Sequence, residues 1–237
     1  MTSTTSAHDA ALHALREGMT LLDARDGERA LKSVQAAADS FRARGNRAGQ
    51  ADALAMAGSI LAQSSRDEEA LVAFTEVIHL RDDEAEPVAR AAALSNRGLV
   101  LARLGRYEEA IACFEEAQAR FQREDAQLRS AEQWANIGTA RRDTNQPQKA
   151  LECYQQALAI YRQLGLGERI GDQLANIAYA NICLQRPADA LAWYREALGQ
   201  YIEAKCGTKI DKTAANIEKL IAACSRRPDS PASFCCG

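Results

Sequence analysis

The amino-acid sequence predicts an all-α solenoid of five helix–turn–helix repeats plus a C-terminal capping helix. Three observations carry that prediction. Alanine recurs at forty-residue spacing, as Ala30, Ala70, Ala110, Ala150 and Ala190. Other columns keep the same register without insertion or deletion. Within each copy the apolar residues recur at three- and four-residue steps, the period of an amphipathic helix. A fixed period of this size identifies a repeat architecture before any local motif is considered.

The columns justify the elements in order. One residue after each alanine stand Leu31, Leu71, Ile111, Leu151 and Leu191. Four after it stand Val34, Phe74, Phe114, Tyr154 and Tyr194, and seven after it Ala37, Val77, Ala117, Ala157 and Ala197. Twelve before it stands glycine, as Gly18, Gly58, Gly98 and Gly138, with Ala178 in the fifth copy. The copies run 11–50, 51–90, 91–130, 131–170 and 171–210. A sixth begins at Asp211, where Ala215, Asn216 and Ile217 repeat Ala175, Asn176 and Ile177. The reading is a solenoid over 10–224, with the cap at 211–224.

In the fourth copy, Trp134, Ile137 and Gly138 trace one apolar stripe, and Ala150, Leu151, Tyr154, Ala157, Leu158 and Tyr161 trace a second. The polar run Arg142-Asp143-Thr144-Asn145-Gln146-Pro147 separates them. Pro147 and Pro187 share a column suited to the first turn of a helix, and Gly105 marks the same break in the third copy. Each copy is therefore helix A, a turn and helix B. The small residues let the two helices approach closely, with the aromatic residue wedged between them. One such hairpin cannot bury its apolar stripe alone, so neighbouring copies must stack.

The fourth copy resembles a tetratricopeptide repeat, with Trp134, Ile137, Gly138, Ala150, Tyr154 and Ala157 on the signature columns. It departs from that pattern at Arg141 and Asn181, where a large residue is usual, and in lacking the proline after helix B. Its period is forty residues rather than thirty-four, and the extra residues are expected to extend helix B and its linker, as in 161–170. Longer repeats of this kind resemble those of kinesin light chains, Pins-type adaptors and bacterial signalling regulators. The resemblance implies a right-handed superhelix with helix A on the concave wall. It also implies a non-enzymatic adaptor or scaffold that binds another protein. Fold alone does not fix the partner.

On helix A the face opposite the packing columns carries Glu132, Ala135, Thr139, Arg142 and Asp143, with Asn136 at its margin. Most of these columns vary between copies. One does not: Asn96, Asn136, Asn176 and Asn216. Asparagine is a mediocre helix former, and its amide offers both acceptor and donors. The column therefore suits a ladder that grips the main chain of an extended segment. It resembles the asparagine ladders of armadillo repeats and of O-linked N-acetylglucosamine transferase. The alternative is a consensus residue that bonds a neighbouring helix. Packed helices lie about 8–10 Å apart, which matches about three residues of extended chain at ~3.3 Å each. Arg103, Arg142 and Lys219 are candidates for acidic ligand groups, and Glu132, Asp143 and Asp172 for basic ones. Tyr179 and Leu99 offer apolar contact.

The first copy has Arg16 at the asparagine column and Leu12, Leu15, Met19 and Leu22 on one helical face. Either that face is a contact site for a partner or second subunit, or the helix is rotated or covered. A self-assembling array and a peptide-sensing regulatory module stand as alternatives to the adaptor.

Composition narrows the classes. The net charge of −3, with acidic and basic residues interspersed, speaks against a nucleic-acid surface. No apolar run reaches the ~18–20 residues that cross a bilayer, and no secretory signal is visible, so a cytoplasmic protein is expected. The polar ends, 1–9 and 225–237, read as tails. Seven cysteines without a CxxC pair fit neither a disulfide framework nor a zinc site. Cys235-Cys236 reads as two free thiols, with metal capture or an intermolecular disulfide as alternatives. His8, His13 and His79 are dispersed, and no nucleotide-binding, zinc-protease or serine-hydrolase motif is present. The acidic pairs Glu68-Glu69 and Glu108-Glu109 sit at helix B starts, where they suit the helix dipole. No enzyme, cofactor or metal is expected.

Overall fold

A computed structural model of the chain describes residues 11–18, 20–21 and 26–225. Those residues form eleven helices and no strand. The chain divides into two compact units, Met1–Glu124 and Asp125–Gly237. In the first lie α1 (helical over 11–18 and 20–21), α2 Gly27–Arg42, α3 Arg47–Gln63, α4 Asp67–Leu80, α5 Pro87–Arg103 and α6 Tyr107–Arg123. In the second lie α7 Gln127–Asp143, α8 Pro147–Gln163, α9 Gly167–Cys183, α10 Pro187–Glu203 and α11 Gly207–Ser225. Within each unit the helices pack chiefly on their neighbours in sequence, the nearest-neighbour arrangement of a solenoid.

The hairpins close as the columns require. A Cβ placed on Gly138 would stand 2.6 Å from Tyr154 Cε1. Gly58 and Gly98 meet Phe74 and Phe114 in the same way, at 2.8 and 2.6 Å. These rings are almost wholly buried, so the aromatic residue of helix B fills the notch that the missing side chain leaves on helix A. A second aromatic column, Phe41, Phe121, Tyr161 and Tyr201, is equally buried. Phe41 lies against Gly49 and Tyr201 against Gly171.

The turns explain the forty-residue period. From α5 onward each helix spans seventeen residues up to α10, and three residues separate it from the next. The middle residue of the turn has positive φ: Gly105, Asp125, Asn145, Gly165, Gln185 and Lys205. After α7 the Asn145 N–H donates to the Arg142 carbonyl (2.9 Å) and the Gln146 N–H to that of Arg141 (2.8 Å), the paired bonds of a Schellman motif. Pro147 and Pro187 then open α8 and α10 in the first turn.

Two features differ from the sequence expectation. The extra residues of the period do not lengthen helix B and its linker alone. Gly167–Ile170, read as linker, is the first turn of α9, because the left-handed residue of that turn is Gly165 and Gly167 already lies inside the helix. The second copy is also irregular: α4 stops at Leu80, and residues 81–86 connect it to α5. Arg81 occupies the column filled elsewhere by Phe41, Phe121, Tyr161 and Tyr201. Its buried guanidinium pairs with Asp52 and Glu86. Arg120 of α6 holds Asp83 of the same connection at 2.6 and 2.9 Å.

Candidate functional site

In the second unit the exposed side of α7 and α9 follows the helical period. On α9 it runs through Glu168, Asp172, Ala175, Asn176 and Tyr179, while Ile170, Leu174, Ile177 and Ala178 are buried. Asn136 and Asn176 are half-buried and Asn216 on α11 is exposed. Asn96 holds the same register on α5 of the first unit and is also half-buried. Among the described residues, none of these four side-chain amides has a hydrogen-bond partner.

The charged candidates around the asparagines are differently placed, because most are committed to one another. Asp172 accepts hydrogen bonds from the Tyr201 hydroxyl (2.9 Å) and Lys209 Nζ (2.5 Å). Lys209 also reaches Glu168 at 2.9 Å. Its hydrogen bond holds the Glu168 carboxyl below the usual range. Glu132 of α7 pairs with Arg169 of α9 at 3.6 Å. Arg142 donates to Asp143 at 2.8 Å and places its guanidinium 5.4 Å from the Tyr179 ring centroid, within cation–π range. These contacts run from α7 to α9 and from α9 to α11, so they tie successive helices A together. Thr139 is also engaged: its hydroxyl donates to the Ala135 carbonyl (3.0 Å) and accepts from Tyr154 (3.4 Å). In the first unit, Arg103 pairs with Asp67. The asparagine amides are uncommitted, as is the exposed Lys219 of α11.

The apolar candidates on α1 are only partly accessible. Leu12 and Leu15 are half-buried against a cluster of Ala11, Ala37, Ala38, Phe41 and Ala53. Met19, Leu22, His8, Cys235 and Cys236 lie outside the described residues, as does most of the two tails.

Two features were not singled out from sequence. Gln133 and Gln173, at one column on α7 and α9, are buried with side-chain carbonyl oxygens that lack a partner among the described residues. In the first unit, an open cavity of about 430 Å³ lies along α4, reaching Arg97 of α5 and Arg106 at the start of α6. Column comparison carried the signal: valine stands at 72 where the other copies have Lys32, Ala112, Glu152 and Ala192. Arginine stands at 97 where they have Glu17, Ala57, Ile137 and Ile177.

Among the described residues, no group of three or more His, Cys, Asp or Glu is placed to hold a metal ion. No described helix is long and apolar enough to cross a membrane. The strongest proton-affinity shifts belong to buried tyrosines. Burial pushes the Tyr161 hydroxyl up to about 12. Burial and the hydrogen bond to Asp172 raise that of Tyr201 as well.

Residues 89–163 match the family model described as Tetratricopeptide repeat. No curated protein matches the chain. Among solved structures, the apo form of RapI is similar with a TM-score of 0.80 at 13% identity, covering 92% of this chain and 84% of that one. MamA (residue 41 to the end) from Desulfovibrio magneticus RS-1 is similar with a TM-score of 0.66 at 19% identity, covering 82% and 97%. A Podosopora anserina chain described as a kinesin light chain with nearly identical TPR-like repeats gives 0.64 at 14% identity, covering 85% and 95%. At these identities the likeness concerns the fold.

Proposed function

We propose that this chain, a tetratricopeptide-repeat protein, is a non-enzymatic scaffold that holds an extended segment of another protein against α7, α9 and α11. The observation that carries the reading is the uncommitted amides of Asn136, Asn176 and Asn216 at one register of three successive helices A. Each amide offers one acceptor and two donors, the complement of a peptide N–H and C=O. Most of the surrounding charges are paired and supply a rigid frame, while Lys219 of α11 is left to meet an acidic group.

The magnitudes fit a weak, main-chain-directed grip. A hydrogen bond contributes about 0.5–1.5 kcal/mol net, so three asparagines supply a few kcal/mol. Further affinity comes from side-chain contacts, for which Tyr179, 36% exposed under Arg142, is the nearest apolar platform.

The test is a peptide selected from a random-sequence display on the intact chain. Replacing Asn136 and Asn176 together by alanine removes the amides and slightly favours the helix, so helicity and melting temperature should hold. Peptide affinity should fall at least tenfold, or ~1.4 kcal/mol. Unchanged affinity in the double variant rejects the asparagine grip.

A further inference from the structure

The cavity along α4 is a second binding surface, on helix B rather than on the asparagine face. Its floor includes Leu71, which is buried, and Val72, which is 70% exposed. Val72 is the most exposed of the large apolar residues in the described chain. The outward columns of α4 read Glu68, Val72, Thr75 and His79. The same columns of α6 read Glu108, Ala112, Glu115 and Ala119, and those of α8 read Gln148, Glu152, Gln155 and Ala159. The centre of the α4 face is thus uncharged and β-branched, an apolar Val72 beside Thr75, whose hydroxyl is turned to the Leu71 carbonyl (2.7 Å). Loss of charge at a patch centre distinguishes interface cores from ordinary surface.

Arg97 supplies the polarity. From the second copy to the fifth its column is otherwise filled by Ala57, Ile137 and Ile177, all buried and apolar, while the first copy has the exposed Glu17 there. Here an arginine is half-buried instead, with Nε buried and unpartnered among the described residues. Nη1 donates to the Cys113 thiol at 3.4 Å, a weak acceptor. Burial pushes that thiol's proton affinity up, so it stays neutral and does not balance the guanidinium. The nearby acids are mostly claimed elsewhere. Glu109 is bonded twice by Arg106, at 2.7 Å each. Glu76 accepts from Arg42 at 3.1 Å and from Gln50 at 2.8 Å.

We infer that this groove docks a partner segment carrying a carboxylate side chain close to an apolar one, the carboxylate on Arg97 and the apolar group on Val72. An arginine guanidinium presents a fork of donors that suits a carboxylate. A half-buried guanidinium with an orphaned, buried Nε costs stability, and the fourth and fifth copies carry isoleucine at the position. A ligand carboxylate at the exposed part of the guanidinium gives this arginine the counter-charge that the neutral Cys113 thiol does not supply. Glu68 and the paired Glu76 bound the groove and disfavour a longer acidic run, so the occupant has one acid flanked by apolar residues.

The test uses the full chain and a synthetic array of short peptides, each with one Glu two residues from Leu or Phe in a Ser/Gly background. Matched peptides replace Glu by Gln, or Leu and Phe by Ser. Affinity is read by fluorescence anisotropy for the wild type, Arg97→Ile, Val72→Glu and Asn136→Ala/Asn176→Ala. The parent peptides should bind at least tenfold tighter than either matched set. Arg97→Ile and Val72→Glu should each remove that preference, and the double asparagine variant should keep it. Arg97→Ile should melt no lower than the wild type, since it restores the residue of the fourth and fifth copies. Equal binding of parent and matched peptides, retention in Arg97→Ile, or no binding at all overturns the inference. So does self-association that Val72→Glu abolishes, which assigns the groove to a second copy of the chain.

Discussion

The close contact between Gly138 and Tyr154 gives one substitution opposite effects at two positions of the same unit. In an open helix interior, glycine to alanine stabilises by about 1 kcal/mol. Gly199, inside α10, is exposed and has nothing within 4 Å of the position its Cβ would take, so Gly199→Ala should show that gain. At Gly138 the new Cβ falls 2.6 and 2.7 Å from two ring atoms of Tyr154. Ordinary contact begins at 3.4 Å, so the ring must retreat by about 0.8 Å. It has no room to do so, being wholly buried, and its hydroxyl is bonded to Thr139. Overpacking of this kind costs about 1–3 kcal/mol, which outweighs the gain in propensity. Gly138→Ala should therefore lower stability by about 1 kcal/mol, and the two variants should differ by about 2 kcal/mol. Urea unfolding of both, followed by circular dichroism, measures the difference. Stabilisation of Gly138→Ala equal to that of Gly199→Ala would refute the wedge.

The remaining predictions concern the turns and the buried tyrosines. Gln185 has φ of 58°, a region that costs a side-chain-bearing residue about 1–2 kcal/mol. Glycine there adds some unfolded-state entropy, so Gln185→Gly should raise stability by about 0.5–1 kcal/mol; a loss in chemical denaturation contradicts the left-handed turn. Tyr161, pushed up to about 12 from an ordinary 10 by burial, binds its proton more tightly folded than unfolded. Its contribution is therefore whole below pH 10 and is lost as pH rises towards 12. Wild-type stability should fall more steeply than that of Tyr161→Phe across that window, and parallel curves would show that the hydroxyl is not buried.

The hairpins are legible in the sequence because a steric rule writes them. Gly58, Gly98 and Gly138 each need an aromatic partner sixteen residues on, and Phe74, Phe114 and Tyr154 stand there. The turns are less legible. The left-handed position is occupied by Ser65, Asp125, Asn145, Gln185 and Lys205 as well as by glycine, so no single residue type marks it. In the linker before α9, Gly167 resembles a break but lies inside the helix. The irregular connection after α4 is hidden for another reason. Arg81 breaks an aromatic column, and its partners Asp52 and Glu86 lie on different elements.

At the site, the helical period separates the buried side chains from the others: Asn136 and Asn176 are half-buried and Tyr179 is exposed. It does not show which outward charges find each other. Asp172 and Glu132 read as ligand-binding acids, but in the fold Lys209 of α11 and Tyr201 of α10 reach Asp172, and Arg169 of α9 reaches Glu132. Pairing depends on side-chain reach between helices forty residues apart in sequence, which a single column does not encode. The groove at Val72 and Arg97 was legible in principle, but only by asking which copy departs from the others on helix B.

The most direct measurement of the main-chain grip is a backbone N-methylation scan of a peptide selected on the intact chain. Each amide N–H is replaced in turn, with the side chains left unchanged. Helix spacing of about 8–10 Å against ~3.3 Å per extended residue predicts affinity losses at every third position, each absent in Asn136→Ala/Asn176→Ala. Uniform tolerance of N-methylation, with affinity responding to side-chain changes alone, would contradict it.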